Sequence, residues 1–359
     1  MARLDSVLRV ALDQKVSDLH IHAGKPPIVR LDGDLLPLPF RKLTARDARL
    51  WIEEILDAEQ RATLELDQQV DFLYALGEGA RFRANAFVQN DGLSAVFRAI
   101  PDGVPTLESL RLPPAVRALT QLNNGLVLVT GPTGSGKSTT LAAMIHEMNL
   151  TSARHIITLE DPVEFVHRPA GCVITQRQVG HDVVSFEEGL RSAMRESPDV
   201  LVVGELRDET SVSLALHAAE TGMLVLGTLH TNSAAGAIDR VLDAVAEEGR
   251  EQARNLLALL LRGVVAQTLC RRVGGTGRVA ALEILVQSHA VANLVRENKI
   301  HQLETYLSAA GREADGAQSL DHSLFGYVRD GLVARDEALR LARFPEALAE
   351  RLAELPVEA

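Results

Sequence analysis

Four apolar runs, Leu126–Val129, His155–Leu159, Val200–Val203 and Leu224–Leu226, alternate with helical text between residues 125 and 230. Runs this short and continuous read as strands buried on both faces, and strands that alternate with helices make a parallel sheet covered on both sides. In such a sheet ligands bind beyond the carboxyl ends of the strands. The residues that follow each run therefore carry most of the functional information.

After the first run comes Gly131-Pro132-Thr133-Gly134-Ser135-Gly136-Lys137-Ser138, with Thr139 next. It matches G-x-x-x-x-G-K-[ST] between a strand and a helix. Glycines let the backbone curl its N–H groups inward around phosphate oxygens. Lys137 supplies a point charge for the β- and γ-phosphates, and the Ser138 hydroxyl is placed to ligate Mg²⁺. The positive end of the following helix reinforces the cradle. ATP and Mg²⁺ are the expected ligands.

The second run ends in Glu160-Asp161, the third leads to Glu205, and the fourth to His230-Thr231. Phosphoryl transfer is chiefly positioning and charge neutralisation. Glu205 is placed to reach the metal, Glu160 to orient and deprotonate a water, and His230 to donate to the γ-phosphate. A strand-end acid taken singly is as often a solvated or capping residue. Three of them beside one phosphate loop point to hydrolysis.

Residues 1–100 read differently. A helical pattern at Leu4–Leu12 precedes short alternating segments at 19–22 and 28–31, with a turn at Asp32-Gly33-Asp34. A helix over Ala45–Leu56 and strands Ala80–Val88 and Ser94–Ile100, joined at Asn90-Asp91-Gly92, complete a small α+β domain. Proline and glycine crowd a linker at 101–115, and 116–359 form the larger domain, mostly helical past residue 250, with its helical C-terminal region placed from about 270. A polar loop is expected near Gly311–Gly316 and a short helix in Pro345–Ala359.

Net charge is −11, which argues against nucleic acid as the main partner. Cys172 and Cys270 stand outside any CxxC pattern and read as buried thiols. The longest apolar stretch, Leu256–Leu261, is six residues, too short for a transmembrane segment. Arg3, Asp5 and Arg9 interrupt the N-terminal apolar positions, so no signal peptide is read and a cytoplasmic location is expected.

Four segments, Gly131–Thr139, Thr158–Phe165, Pro198–Asp208 and Gly227–Ala234, resemble in order the Walker A, Asp, atypical Walker B and His boxes of the secretion ATPases. Ser17–His22, Gly24–Pro27, Val295–Gln302 and Gly316–Asp321 are further similar to the type IV pilus retraction branch, the PilT family. The resemblance implies a RecA-like P-loop ATPase domain behind a PAS-like first domain. It implies a homohexamer that drives pilus retraction and twitching motility from the cytoplasmic side of the inner membrane, through a pilus assembly platform. It also implies that Arg81, Arg83 and Arg98 reach the nucleotide; Arg81 and Arg83 alternate onto one strand face, as joint action requires. Met223 stands where the family carries a second histidine, Asn298 where it carries a glycine, and Glu196-Ser197 where Gln-Asp is usual. Two other readings are an accessory paralogue or related secretion ATPase, and a slow nucleotide-gated binding module. A small-molecule kinase is disfavoured, since no arginine-clustered lid follows the phosphate loop.

Overall fold

The computed structural model describes residues 2–14, 16–31, 34–77, 80–100, 103–275, 277–309 and 316–355. Asp32-Gly33 of the expected turn, Pro101-Asp102 of the linker, most of the loop at 311–316 and the last four residues of the tail lie outside them. The chain divides into two units, Met1–Gly103 and Val104–Ala359.

The first unit runs α1 (Arg3–Asp13), β1 (Asp18–Ile21), β2 (Ile28–Leu31), β3 (Asp34–Pro37), α2 (Ala45–Glu53), α3 (Ala58–Asp67), β4 (Gln69–Leu76), β5 (Ala80–Gln89) and β6 (Gly92–Ile100). Its sheet has the order β3-β2-β1-β6-β5-β4, and every neighbouring pair is antiparallel. A two-residue turn, Asn90-Asp91, closes β5 onto β6, where Gln89 pairs with Gly92. Phe82, Ala84 and Ala86 point into the core with Phe97, while Arg81 and Arg83 alternate to the other face. Capping boxes at Thr44 with Asp47 and Asp57 with Gln60 start α2 and α3. The α3–β4 segment was not anticipated from sequence.

The second unit runs α4 (Pro114–Thr120), β7 (Gly125–Thr130), α5 (Lys137–Thr151), β8 (His155–Glu160), β9 (Val173–Gln178), α6 (Phe186–Ala193), β10 (Val200–Val203), α7 (Glu209–Glu220), β11 (Leu224–Leu229) and α8 (Ala234–Asp243). It continues with α9 (Arg250–Leu260), β12 (Leu261–Arg271), β13 (Arg278–Val286), α10 (His289–Arg296), α11 (Gln302–Ala309), α12 (Leu320–Arg329), α13 (Arg335–Leu341) and α14 (Pro345–Ala353). Strand order is β13-β12-β7-β11-β10-β8-β9, parallel throughout except for the β12–β13 pair.

The apolar runs are solid because the sheet is buried on both sides. Leu126, Leu128, Leu201, Val203 and Val225 enter one core cluster; Val127, Val129, Val200, Val202, Leu224 and Leu226 enter the other. Each methylene so buried contributes about 0.8 kcal/mol.

The expectation of helix beyond residue 250, and of a helical region from about 270, is corrected. The longest strand, β12, and its antiparallel partner β13 occupy 261–286 and extend the sheet beside β7. The stripe Leu256, Leu257, Leu260, Leu261, Val264 straddles the end of α9 and the start of β12. A short apolar run is ambiguous by period alone, and Val264, Val265 and Gly263 decide for strand. A Cβ on Gly263 would sit 2.8 Å from a Leu119 methyl, so the strand packs too close for a side chain there. Helices resume only at His289. Among the described residues, no helix is long and apolar enough to cross a membrane.

Candidate active site

Strand β7 is buried along its length and delivers the chain into the phosphate loop. Gly131, Gly134 and Gly136 adopt φ of 151°, 79° and 90°, a region that L side chains avoid. A Cβ on Gly131 would also lie 2.4 Å from the Gln267 carbonyl oxygen. Helix α5 begins at Lys137 with no side chain capping its first turn, so its free N–H groups form an anion site. Among the described residues the buried Ser135 hydroxyl has no hydrogen-bond partner. These features fit a bound nucleotide phosphate. Lys137 Nζ donates to Gly131 O at 2.8 Å and Pro132 O at 3.2 Å and lies 3.3 Å from His230 Nδ1. Burial pulls the Lys137 ammonium below the usual lysine range, against the upward pull of Glu205 and Glu164.

Gln267 of β12 braces the loop from below. Its Nε2 donates to Ser135 O, and its Oε1 accepts from Thr140 Oγ1 at 2.6 Å. At 4% exposure it is a buried side chain with both ends of its amide used. No motif marks it in the sequence.

The neighbouring strand ends converge on a solvent-open cleft lined by Ser138, Glu160, Asp161, Glu164, Glu205 and Arg207 among others. Its back wall is apolar, with Leu141, Ile145, Phe165 and Phe186. Glu160 Oε1 accepts from Thr158 Oγ1 at 2.6 Å and Gln176 Nε2 at 3.0 Å. Burial raises the Glu160 carboxyl above the usual range despite these bonds, and nearby Glu164 pushes the same way. Glu205 is held from two sides, by Arg207 Nε at 2.6 Å and His230 Nε2 at 3.2 Å. His230 thus bridges Glu205 to Lys137. Ser138 and Glu205, the expected metal-binding pair, line the same cleft, and their hard oxygens suit Mg²⁺.

Thr130, the last residue of β7, fastens the His230 turn to the loop. Its Oγ1 accepts from Thr231 N at 2.9 Å and lies 2.7 Å from both Thr231 O and Thr231 Oγ1. Thr228 Oγ1 likewise donates to Gly204 O, tying β11 to the segment carrying Glu205. The flanking acids divide: Asp208 caps α7 through Ser211 N, and Asp199 accepts from His155 N, so both are structural.

The structure therefore brings Lys137, Ser138, Glu160, Glu205 and His230 to one rim. Arg81, Arg83 and Arg98 belong to the other unit. There Arg83 pairs across the sheet with Arg98, which pairs with Asp18. Arg98 Nε donates to Asp18 Oδ1 at 2.8 Å. Burial lifts the Asp18 carboxyl, but the bonds from Arg98 and Ser17 outweigh it and hold it below the usual range. The Arg81 and Arg83 side chains have no hydrogen-bond or ion-pair partner among the described residues. Sequence reasoning missed Thr130, Gln267, Gln176 and Arg207; only Arg207, two residues past Glu205, left a local trace.

Comparison with known proteins agrees with this geometry. Residues 2–329 match the family model described as type II/IV secretion system protein. The chain is 46% identical over 343 residues to the type IV pilus retraction ATPase PilT of Pseudomonas aeruginosa, covering 96% of this chain and 99% of that one. It is 43% identical over 343 residues to a twitching motility protein of Neisseria gonorrhoeae, covering 96% and 91%. A crystal structure of the pilus retraction motor PilT with bound ADP superposes with a TM-score of 0.89 at 39% identity, covering 98% of this chain and 99% of that one.

Proposed function

The chain belongs to the PilT branch of the type II/IV secretion system proteins and is a P-loop ATPase, and we propose that it is the ATP-driven motor that retracts a type IV pilus. The observation that carries the chemistry is the connected row Lys137–His230–Glu205 beside Glu160, at the mouth of the phosphate loop.

In this reading the phosphates replace the Gly131 and Pro132 carbonyls as partners of Lys137. Ser138 and Glu205 would hold Mg²⁺, which would supply positive charge to the phosphate oxygens. Glu160, its basicity raised by burial, takes the proton of the attacking water. His230 contacts the γ-phosphate and passes its loss to Glu205 and Lys137. Arg81 and Arg83, whose side chains have no ion-pair partner among the described residues, and Arg98 close on the phosphates from a first domain within a homohexamer. The ring acts at the cytoplasmic side of the inner membrane on the pilus assembly platform. The likeness to the pilus retraction motor PilT supports that assignment.

Single-turnover ATP hydrolysis by Lys137→Ala and Glu205→Ala tests the site. Both variants are expected to lose turnover, and near-normal rates in both overturn the reading. Hydrolysis that is very slow and independent of assembly favours a nucleotide-gated binding module instead.

A further inference from the structure

We propose that Gln176, on the edge strand β9, is a positioning residue that fixes the Glu160 carboxylate for water activation. The inference rests on the reading of Glu160 as the general base and adds a residue to it.

Strand register sets the arrangement. Thr158 of β8 pairs with Gln176 of β9, and Glu160 pairs with Gln178 two residues on. Side chains at alternate positions share a face, so Thr158 and Gln176 both lie on the side of Glu160. Their donors converge on the same oxygen, Oε1, at 2.6 Å and 3.0 Å. The Glu164 backbone N–H also donates to this carboxylate. Among the described residues Thr158 and Gln176 are its side-chain donors, and both hold it by Oε1.

Gln176 has no freedom of its own to lose this contact. Its second N–H donates to Phe165 O at 2.8 Å, and its Oε1 accepts from His167 N at 2.8 Å. The partners define the amide orientation, because a flip would set its oxygen against a carbonyl and a carboxylate, and its NH₂ against an N–H. One side chain therefore ties the base to the segment that follows it, where Glu164 and Phe165 line the cleft. Bonds to an ionised acceptor are the stronger kind. An error of about 1 Å in a reacting group costs about 10²-fold in rate.

The test uses the full-length, assembled protein with Mg·ATP, comparing kcat, KM and affinity for a fluorescent ATP analogue. Gln176→Met, which removes all three bonds at similar size, is expected to lower kcat about 10- to 100-fold. KM and nucleotide affinity are expected to stay within about twofold, because Gln176 touches no part of the phosphate loop. Gln176→Glu keeps the acceptor for His167 N but sets a carboxylate against Glu160, and is expected to be slower still. It carries the test if the methionine variant does not fold. In a Glu160→Gln background, adding either change is expected to alter kcat no further. If Glu160→Gln itself retains kcat, the base reading fails. If Glu160→Gln is slow while both Gln176 variants keep wild-type kcat, the positioning role fails. A further loss of the same size in the Glu160→Gln background also overturns it, since Gln176 would then act without Glu160.

Discussion

Thr130→Val tests whether one hydroxyl holds the phosphate loop to the His230 turn. The substitution keeps the branched shape at a position with 0% exposure, so it opens no cavity. It strips the Thr231 N–H of its partner and leaves the Thr231 hydroxyl only the long bond to Ser233 O at 3.4 Å. Water reaches half-buried Thr231 only in part, so the loss is about 2 kcal/mol, within the range for an orphaned buried donor. Spread over the roughly 250 residues of Val104–Ala359, at about 2.1 cal/mol/K per residue, that is a fall of about 4 °C in Tm. Loosening the turn should also displace His230 and lower kcat about tenfold or more with little change in nucleotide affinity. Thr130→Ser keeps the oxygen and should restore kcat. Calorimetry and steady-state ATPase assays on the three proteins decide it. A valine variant with wild-type Tm and kcat refutes the reasoning.

Glu160→Gln should separate stability from turnover. Burial disfavours the Glu160 charge, so the amide is expected to stabilise the fold by roughly 0.5–2 kcal/mol while turnover falls about 10²-fold; a lower Tm contradicts the burial argument. His167, 6% exposed, is pushed down to about 4 by burial and by the nearby His146 charge. The unfolded chain, near 6.5, binds that proton more readily. Stability is therefore full above pH 6.5 and falls by about 3 kcal/mol as pH drops toward 4. Urea midpoints across that window should flatten in His167→Phe; an unchanged slope rejects the assignment. Asn298, the residue at the family's glycine position, sits at φ 57°, a conformation that asparagine tolerates and glycine adopts freely. Asn298→Gly is expected to change stability by less than about 1 kcal/mol, and Asn298→Val to cost more, as read by thermal melts.

Four of the site residues that sequence reasoning found share one property: each lies in the segment that follows an apolar run. Lys137, Glu160, Glu205 and His230 follow strands whose double burial is written as unbroken hydrophobicity, and sheet topology sends such strand ends to one rim. Two of the residues it missed, Thr130 and Gln267, work at long range. Thr130 meets Thr231 across 101 residues, and Gln267 meets Thr140 across 127. No local pattern encodes such a pairing. Strand β12 departs from the helical expectation for a related reason: its run follows the leucines of α9 across only Arg262 and Gly263, and pairing with β7 completes what Val264 and Val265 favour. The arginines were legible as a shared face on β5, while the ion pair that occupies Arg98 depends on Asp18, 80 residues earlier.

The brace under the phosphate loop makes the nucleotide grip hostage to the carboxyl-terminal third of the molecule. Gln267 reaches back 132 residues to Ser135, from a strand whose hairpin leads directly into the last five helices. A load that shears β12 along β7 would tug on the same curl of backbone that clasps the triphosphate. Force and occupancy would then trade against each other through a single amide. A fragment ending ahead of residue 261 should accordingly keep all four boxes from Gly131 to Ala234 and still fail to hold ATP.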